Sequence, residues 1–180
     1  NKLLGVSKRT IINSLAEKFR LGQIYVPELL VSSKAMKMGV DVVKPLLVTG
    51  QGESLGKVVL ATVAGDMHDI GKNLVGLLMG SAGFDVIDLG MDVEPEDIVE
   101  AIQENPDTKI LGMSAMLTTT MYAMQDTIEA LEEAGLRDKL KIMIGGAPVN
   151  STFAEQIGAN GYTANAPLAV EFAKGLVGAE

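Results

Sequence analysis

From Lys57 onward the chain alternates short runs rich in Val, Ile and Leu with longer amphipathic stretches, and nothing else in it narrows the possible folds as much. The runs predict strands at Val58–Ala64, Asp85–Leu89, Ile110–Met113, Lys141–Ile144 and Gly161–Thr163. The stretches between and after them predict helices at Lys72–Ala82, Pro95–Ile102, Thr118–Ala134, Ser151–Ile157 and Pro167–Leu176. Gly83 and Gly135 stop two of these helices, and Pro95 opens another. Strands apolar on both faces belong to a parallel sheet covered on both sides. Five βα units are too few for a closed barrel, which needs eight. Right-handed connections then favour an α/β, doubly wound five-stranded parallel sheet in the order 2-1-3-4-5.

The first fifty residues have another texture. Thr10–Arg20 places Ile11, Ile12, Leu15 and Phe19 at helical spacing, and Leu21-Gly22 ends the run. Pro27 suits the first turn of a second helix, with a break expected near Gly39 and a short third helix to Leu47. Helices this short bury too little surface to stand alone. They read as a small helical cap over residues 1–50, joined through the polar stretch Thr49-Gly50-Gln51-Gly52-Glu53-Ser54 and a linker at 51–56 to an α/β domain at 57–180. A net charge of -8 without a basic cluster excludes a nucleic-acid backbone as partner. No apolar run is long enough to cross a membrane and no signal-peptide pattern is present, so a soluble, cytoplasmic chain is expected. With no cysteine, disulfides, thiolate nucleophiles and cysteine zinc sites are excluded. The ten methionines serve as core filling or as the lining of a broad apolar ligand site.

Ligands of a doubly wound sheet collect at the carboxyl ends of the strands, where the strand order reverses. Here that point lies between the first and third strands, whose loops are Gly65–Gly71 and Ser114–Thr119; the fourth adds Gly145-Gly146-Ala147-Pro148 and the fifth Tyr162-Thr163-Ala164. The first loop carries His68, the only histidine, between two carboxylates. Asp66 or Asp69 could fix one ring nitrogen, leaving the other for a metal or a substrate. One histidine cannot make an all-protein zinc site, so most of the coordination of a metal here would belong to a cofactor. Thr118, Thr119 and Thr120 can cap the helix they open, whereas Ser114 lies too early for that. Gly145-Gly146 is either a turn or a place where a flat ligand meets backbone. Neither a GxGxxG nor a GxxxxGK[ST] pattern is present.

Taken together, these residues resemble the corrinoid-binding domain. Asp66-Met67-His68-Asp69-Ile70-Gly71 matches a DxHxxG motif, Ser114-Ala115-Met116 matches SxL in its first position, and Gly145-Gly146 follows; 42 residues separate Gly71 from Ser114 and 28 separate Met116 from Gly145. The longer runs Gly65–Asn73, Met113–Met121 and Ile144–Val149 are similar to corrinoid proteins of methyltransferase and O-demethylase systems, relatives of the cobalamin module of methionine synthase. Phe19–Leu30 and Ala35-Met36 look like the end of that family's helical cap.

The resemblance implies a flavodoxin-like fold and a cobalamin or related corrinoid cofactor in the base-off, His-on state. His68 would be the lower axial ligand to cobalt, Asp66 would bond the other ring nitrogen, and Thr120 would supply the third member of that relay. Proton occupancy on the Asp66–His68 pair could then tune the bond to cobalt. Met67, Asp69, Ile70, Gly71, Met116, Leu117 and Thr118 would complete the cofactor surface. Ser114 would flank the displaced benzimidazole tail, Gly145, Gly146 and Ala147 would give it room, and Tyr162, Thr163 and Ala164 would close its far side. The implied function is methyl carriage. A substrate-specific methyltransferase would methylate Co(I), and a second would take the group from methyl-Co(III) to tetrahydrofolate or a thiol. A reductive activator would be the third partner.

Three departures accompany the likeness. Met116 replaces the leucine of SxL, Asn160 and Asn165 stand where related chains carry aspartates, and the helical part is about two and a half helices where relatives have about four. A trimmed chain or a natural short form would both read this way. Alternatives are a methylamine-specific rather than methoxyl-specific carrier, a cobalamin-responsive sensor, a mutase subunit, and a scaffold domain without cofactor.

Overall fold

The computed structural model describes residues 54–179, together with Lys18, residues 21–25, 27–28, 31–32, 34–35 and Met38. The described residues of the expected second helix, from Pro27 to Met38, are helical, and Ile24 packs against the α/β core. The expected first helix apart from Lys18, the break near Gly39, the third helix to Leu47 and the linker as far as Glu53 lie outside the described residues.

The strands are β1 (Lys57–Thr62), β2 (Asp85–Asp88), β3 (Thr108–Ser114), β4 (Lys141–Gly145) and β5 (Gly161–Tyr162). They form one parallel sheet in the order β2-β1-β3-β4-β5, as the alternation of elements predicts. The helices are α1 (Ile70–Ala82), α2 (Pro95–Glu104), α3 (Ala123–Glu133), α4 (Ser151–Gln156) and α5 (Ala166–Leu176), with a single 3-10 turn at Arg137–Lys139.

Alternate residues of each strand feed two separate apolar layers. Val59, Ala61, Leu111, Met113, Ile142 and Ile144 point to the side covered by Ile98 and Ile102 of α2, Met124, Ile128 and Leu131 of α3, and Phe153 of α4. Val58, Leu60, Ile110 and Met143 point to the other side, against Leu74, Leu78 and Met79 of α1 and Ala169, Val170 and Ala173 of α5. Both faces are therefore dry, which is why the strands read as continuous apolar runs rather than alternating ones. No helix among the described residues is long and apolar enough to cross a membrane.

Local chemistry sets the element ends. Gly83 takes φ +113 and returns its N–H to the carbonyls of Met79 and Gly80, ending α1. Pro95 occupies the first turn of α2, with Glu96 and Asp97 beside its positive end. Asn150 and Asn165 cap α4 and α5, each accepting an N–H three residues ahead at 2.9 and 3.0 Å. The amide of Asn165 thus does the capping work open to an aspartate. Asn160 likewise uses its Oδ1 to accept the Ile142 N–H at 2.7 Å, beside β4.

The helix after β3 begins at Ala123, not at Thr118. Residues 117–122 form consecutive tight turns, with Thr120 and Met121 N–H groups both donating to the Leu117 carbonyl. The reason is tertiary: Thr120 is drawn inward by a bond described below, and that direction is incompatible with a free helical cap.

Paired glycines after β4 have an internal explanation. Gly146 sits at φ +125, and a Cβ there would lie 1.7 Å from the carbonyl oxygen of Ala115, while a Cβ on Gly145 would lie 3.3 Å from the Thr163 carbonyl oxygen. Neighbouring loops need that space themselves. Gly146→Ala is therefore expected to lower stability by about 3 kcal/mol. Gly80→Ala, an open position within α1, should raise it by about 0.5–1 kcal/mol. Urea unfolding of the two variants beside the parent measures both signs.

Candidate functional site

The polypeptide leaves β1 through a tight turn in which the Asp66 N–H donates to the Val63 carbonyl. Gly65 makes the turn possible at φ +77. That turn swings the Asp66 side chain under the sheet edge, where it is fully buried. His68 follows on an exposed loop, its backbone carbonyl accepting the Thr62 hydroxyl at 3.0 Å. Thr62 is the last residue of β1, so the strand itself pins the loop.

The carboxylate of Asp66 is saturated. Oδ1 accepts the His68 backbone N–H at 3.0 Å and lies 2.8 Å from His68 Nδ1. Oδ2 accepts the Met116 N–H at 2.7 Å and the Thr120 hydroxyl at 2.6 Å. Two oxygens with four partners fill the capacity of an ionised carboxylate. Burial by itself would raise the Asp66 carboxyl, but the bonds from Thr120, Met116 and His68 outweigh it and hold the group well below the usual carboxylate range.

This charge state decides the tautomer of the imidazole. An ionised carboxylate accepts but cannot donate, so the proton of neutral His68 resides on Nδ1. The lone pair is then on Nε2, which has no protein partner among the described residues. The His68 side chain is 54% exposed, so that nitrogen is available from outside. Asp69, the other sequence candidate for fixing the ring, is occupied elsewhere and accepts from Asn73 Nδ2 at 2.8 Å.

The loops at this edge of the sheet carry exposed apolar side chains that the core does not use. Met67 and Ile70 come from the same loop, Met116 and Leu117 from the loop after β3, and Met91 from the loop after β2. Thr118 and Gly71 are exposed beside them. Among the described residues no three His, Cys, Asp or Glu side chains could hold a metal ion together. The chain therefore offers one nitrogen donor in an apolar field, which fits a metal that arrives with a large flat ligand set of its own and fits a bare ion poorly.

The structure brings most, but not all, of the sequence candidates together. Asp66, His68, Met116 and Thr120 form one bonded network. Ser114 stands in register between Thr62 of β1 and Gly145 of β4, on the face toward α1 and α5. Gly146 packs on Ala115. Tyr162, Thr163 and Ala164 belong to a second region, three strands from β1 and so about 14 Å away across the sheet. There, with Leu168, Glu171, Phe172, Gly175 and Leu176, they line an open groove of about 580 Å³.

Sequence reading missed Thr62, the backbone role of Met116 and the whole loop after β2. Of these, only Thr62 carried a signal, as the one buried hydroxyl expected in an otherwise apolar strand.

Asp66→Asn should lower stability near neutral pH by about 2 kcal/mol, because an amide cannot accept from all four donors. The sign of the pH dependence follows from the depressed carboxyl. Its contribution is fully present above the unfolded value of about 4 and is lost as pH falls below it. Urea midpoints of parent and variant should differ at pH 7 and converge on acidification toward pH 2.

The chain is similar to known proteins over most of its length. Residues 56–170 match the B12 binding domain family. Dimethylamine corrinoid protein 3 of Methanosarcina mazei is 43% identical over 168 residues, 92% of this chain and 99% of that protein. A solved cobalamin-binding protein of Desulfitobacterium hafniense superimposes with a TM-score of 0.80 at 35% identity, covering 92% of this chain and 77% of that one. The methanol:cobalamin methyltransferase complex of Methanosarcina barkeri gives a TM-score of 0.81 at 30% identity, over 96% of this chain and 66% of that one. With a family match over residues 56–170 and relatives 41% and 43% identical over nearly the whole chain, this chain belongs to the B12-binding family, among the corrinoid proteins of methyltransferase systems.

Proposed function

We propose that this chain is a methyl carrier whose His68 Nε2 is the lower axial ligand of a bound corrinoid. The observation that carries the reading is the 2.8 Å contact between His68 Nδ1 and the saturated carboxylate of Asp66, on an imidazole whose side chain is 54% exposed. With the ring proton on Nδ1, facing that carboxylate, the lone pair of Nε2 is left for a metal. The corrinoid, when bound, supplies a cobalt centre able to take up and release a methyl group.

The rest is the work of the protein. His68 would hold the cobalt in the base-off, His-on form, and Asp66 with Thr120 would fix the orientation of the ring. Met67, Ile70, Met116 and Leu117 would lie against the macrocycle and exclude water from the lower face. Asp69, Gly71 and Thr118 would border it. Ser114 would flank the displaced nucleotide tail, with Gly145, Gly146 and Ala147 along its course and Tyr162, Thr163 and Ala164 toward its end.

A carrier of this kind needs a methyltransferase that loads it and another that unloads it, with tetrahydrofolate or a thiol as acceptor. A reductive activator would restore inactive cobalt. The likeness to a dimethylamine corrinoid protein over 99% of that protein's length supports a methylated amine as donor, ahead of methanol or a methoxyl compound.

Mixing the purified chain with hydroxocobalamin tests the core of the proposal. The expected result is corrinoid colour retained through gel filtration with a base-off, His-on spectrum. His68→Ala should retain corrinoid through the tail but lose the nitrogen-ligated spectrum. Parent protein emerging colourless, or an unchanged spectrum in His68→Ala, would overturn the assignment. Methyl transfer to the loaded chain from dimethylamine rather than methanol, each with its methyltransferase, checks the donor.

A further inference from the structure

The end of β2 and the loop after it, residues 88–93, supply nothing to the shell around the Asp66 carboxylate, yet they hold the His68 loop at both ends. At the entry, the Gly65 N–H donates to Asp92 Oδ1 at 2.7 Å, and the Asp92 N–H donates back to the Asp66 carbonyl oxygen at 3.0 Å. Asp92 makes this reciprocal pair at φ +53, the only positive φ of a non-glycine residue among the described residues. A left-handed aspartate is strained, and the strain persists only where the surroundings require it.

Another anomaly marks the exit. Lys72 is the third residue of α1 and is buried, although a cation is disfavoured at the positive end of a helix. Its Nζ donates to Asp88 Oδ1, at the end of β2, and to Asn73 Oδ1 at 2.9 Å. Asp88 Oδ1 also accepts the Gly90 N–H at 2.9 Å, and Asn73 holds Asp69. The segment from Asp66 to Gly71 thus hangs between two anchors, one on the last residue of β2 and one on the loop that follows it. Both anchors use residues that local propensity disfavours.

We propose that Asp92 and the Lys72–Asp88 pair are positioning residues that hold the His68 loop at the height where Nε2 reaches a bound cobalt. They thereby set the ratio of His-on to His-off protein. This deepens the proposed function and rests on His68 being the ligand. The geometry explains the choice of residues: a loop that carries an exposed ligand has little core contact of its own to fix it. Helix α1 cannot fix it alone either, since Asp69 makes no capping bond to the backbone.

The test is the electron paramagnetic resonance spectrum of the chain loaded with Co(II) cobalamin, in which an axial nitrogen splits each cobalt line. Asp92→Gly removes the acceptor while relieving the backbone, and should lower the His-on to His-off ratio roughly tenfold. Asp92→Asn keeps both the Oδ1 acceptor and tolerance of the left-handed conformation, and should retain the parent ratio. Lys72→Met should act in the same direction as Asp92→Gly. Thermal unfolding of the unloaded variants runs alongside. An unchanged ratio in Asp92→Gly, with or without a lower melting temperature, overturns the proposal, as does an equal loss in Asp92→Asn. An unchanged ratio in Lys72→Met overturns the role of the ion pair; should that buried exchange prevent folding, the exposed Asp92 pair still decides. His68→Ala separates the two levels: splitting that survives it removes the ligand assignment itself, while splitting lost there but unmoved in Asp92→Gly removes only the clamp.

Discussion

One buried carboxylate organises the upper edge of this molecule. Asp66 gathers donors from two separate loops: its own, at His68, and the loop after β3, through the backbone of Met116 and the hydroxyl of Thr120. A buried charge without partners would be prohibitive, so the two loops are obliged to converge. Because each oxygen already accepts twice, the carboxylate has no capacity left for water or substrate. It serves as a fixed negative charge behind the imidazole. The tight turns at residues 117–122 and the late start of α3 follow from the same requirement.

The sheet order and the bounds of most elements were legible because two periodicities dominate this sequence: continuous apolar strands and amphipathic helices, punctuated by glycine and proline. The start of α3 was not, since a Thr-Thr-Thr run resembles a capping signal and its tertiary partner lies 54 residues earlier. At the site, the residues of the loop alone left Asp66 and Asp69 equivalent, and only the DxHxxG resemblance pointed to Asp66. The turn at Gly65, which buries one and leaves the other to Asn73, gives the physical reason. The loop after β2 gave no sign because its contacts are made by ordinary charged residues and backbone atoms, with no spacing that marks them. Gly145-Gly146 was legible as a special place, though the neighbouring loop claims the space first.

The exposed apolar residues around His68 and the dry core beneath it divide the labour of the chain. The two packed layers give the edge a rigid base, and the methionines above it remain adaptable. A macrocycle seated on such a surface can be gripped without being enclosed by these loops. Access from the opposite side is then left to whatever covers or approaches that face, which suits the proposed role of a carrier loaded and unloaded by different partners.

The contact between Gly146 and the Ala115 carbonyl has a consequence for redesign. With no room for even a methyl group between them, the loops after β3 and β4 behave as a single machined part. A protein engineer who wishes to widen the seat for a bulkier cofactor cannot exchange one loop at a time; grafts must carry Ser114–Met116 and Gly145–Ala147 as a matched set, or the sheet edge will be pried open from within.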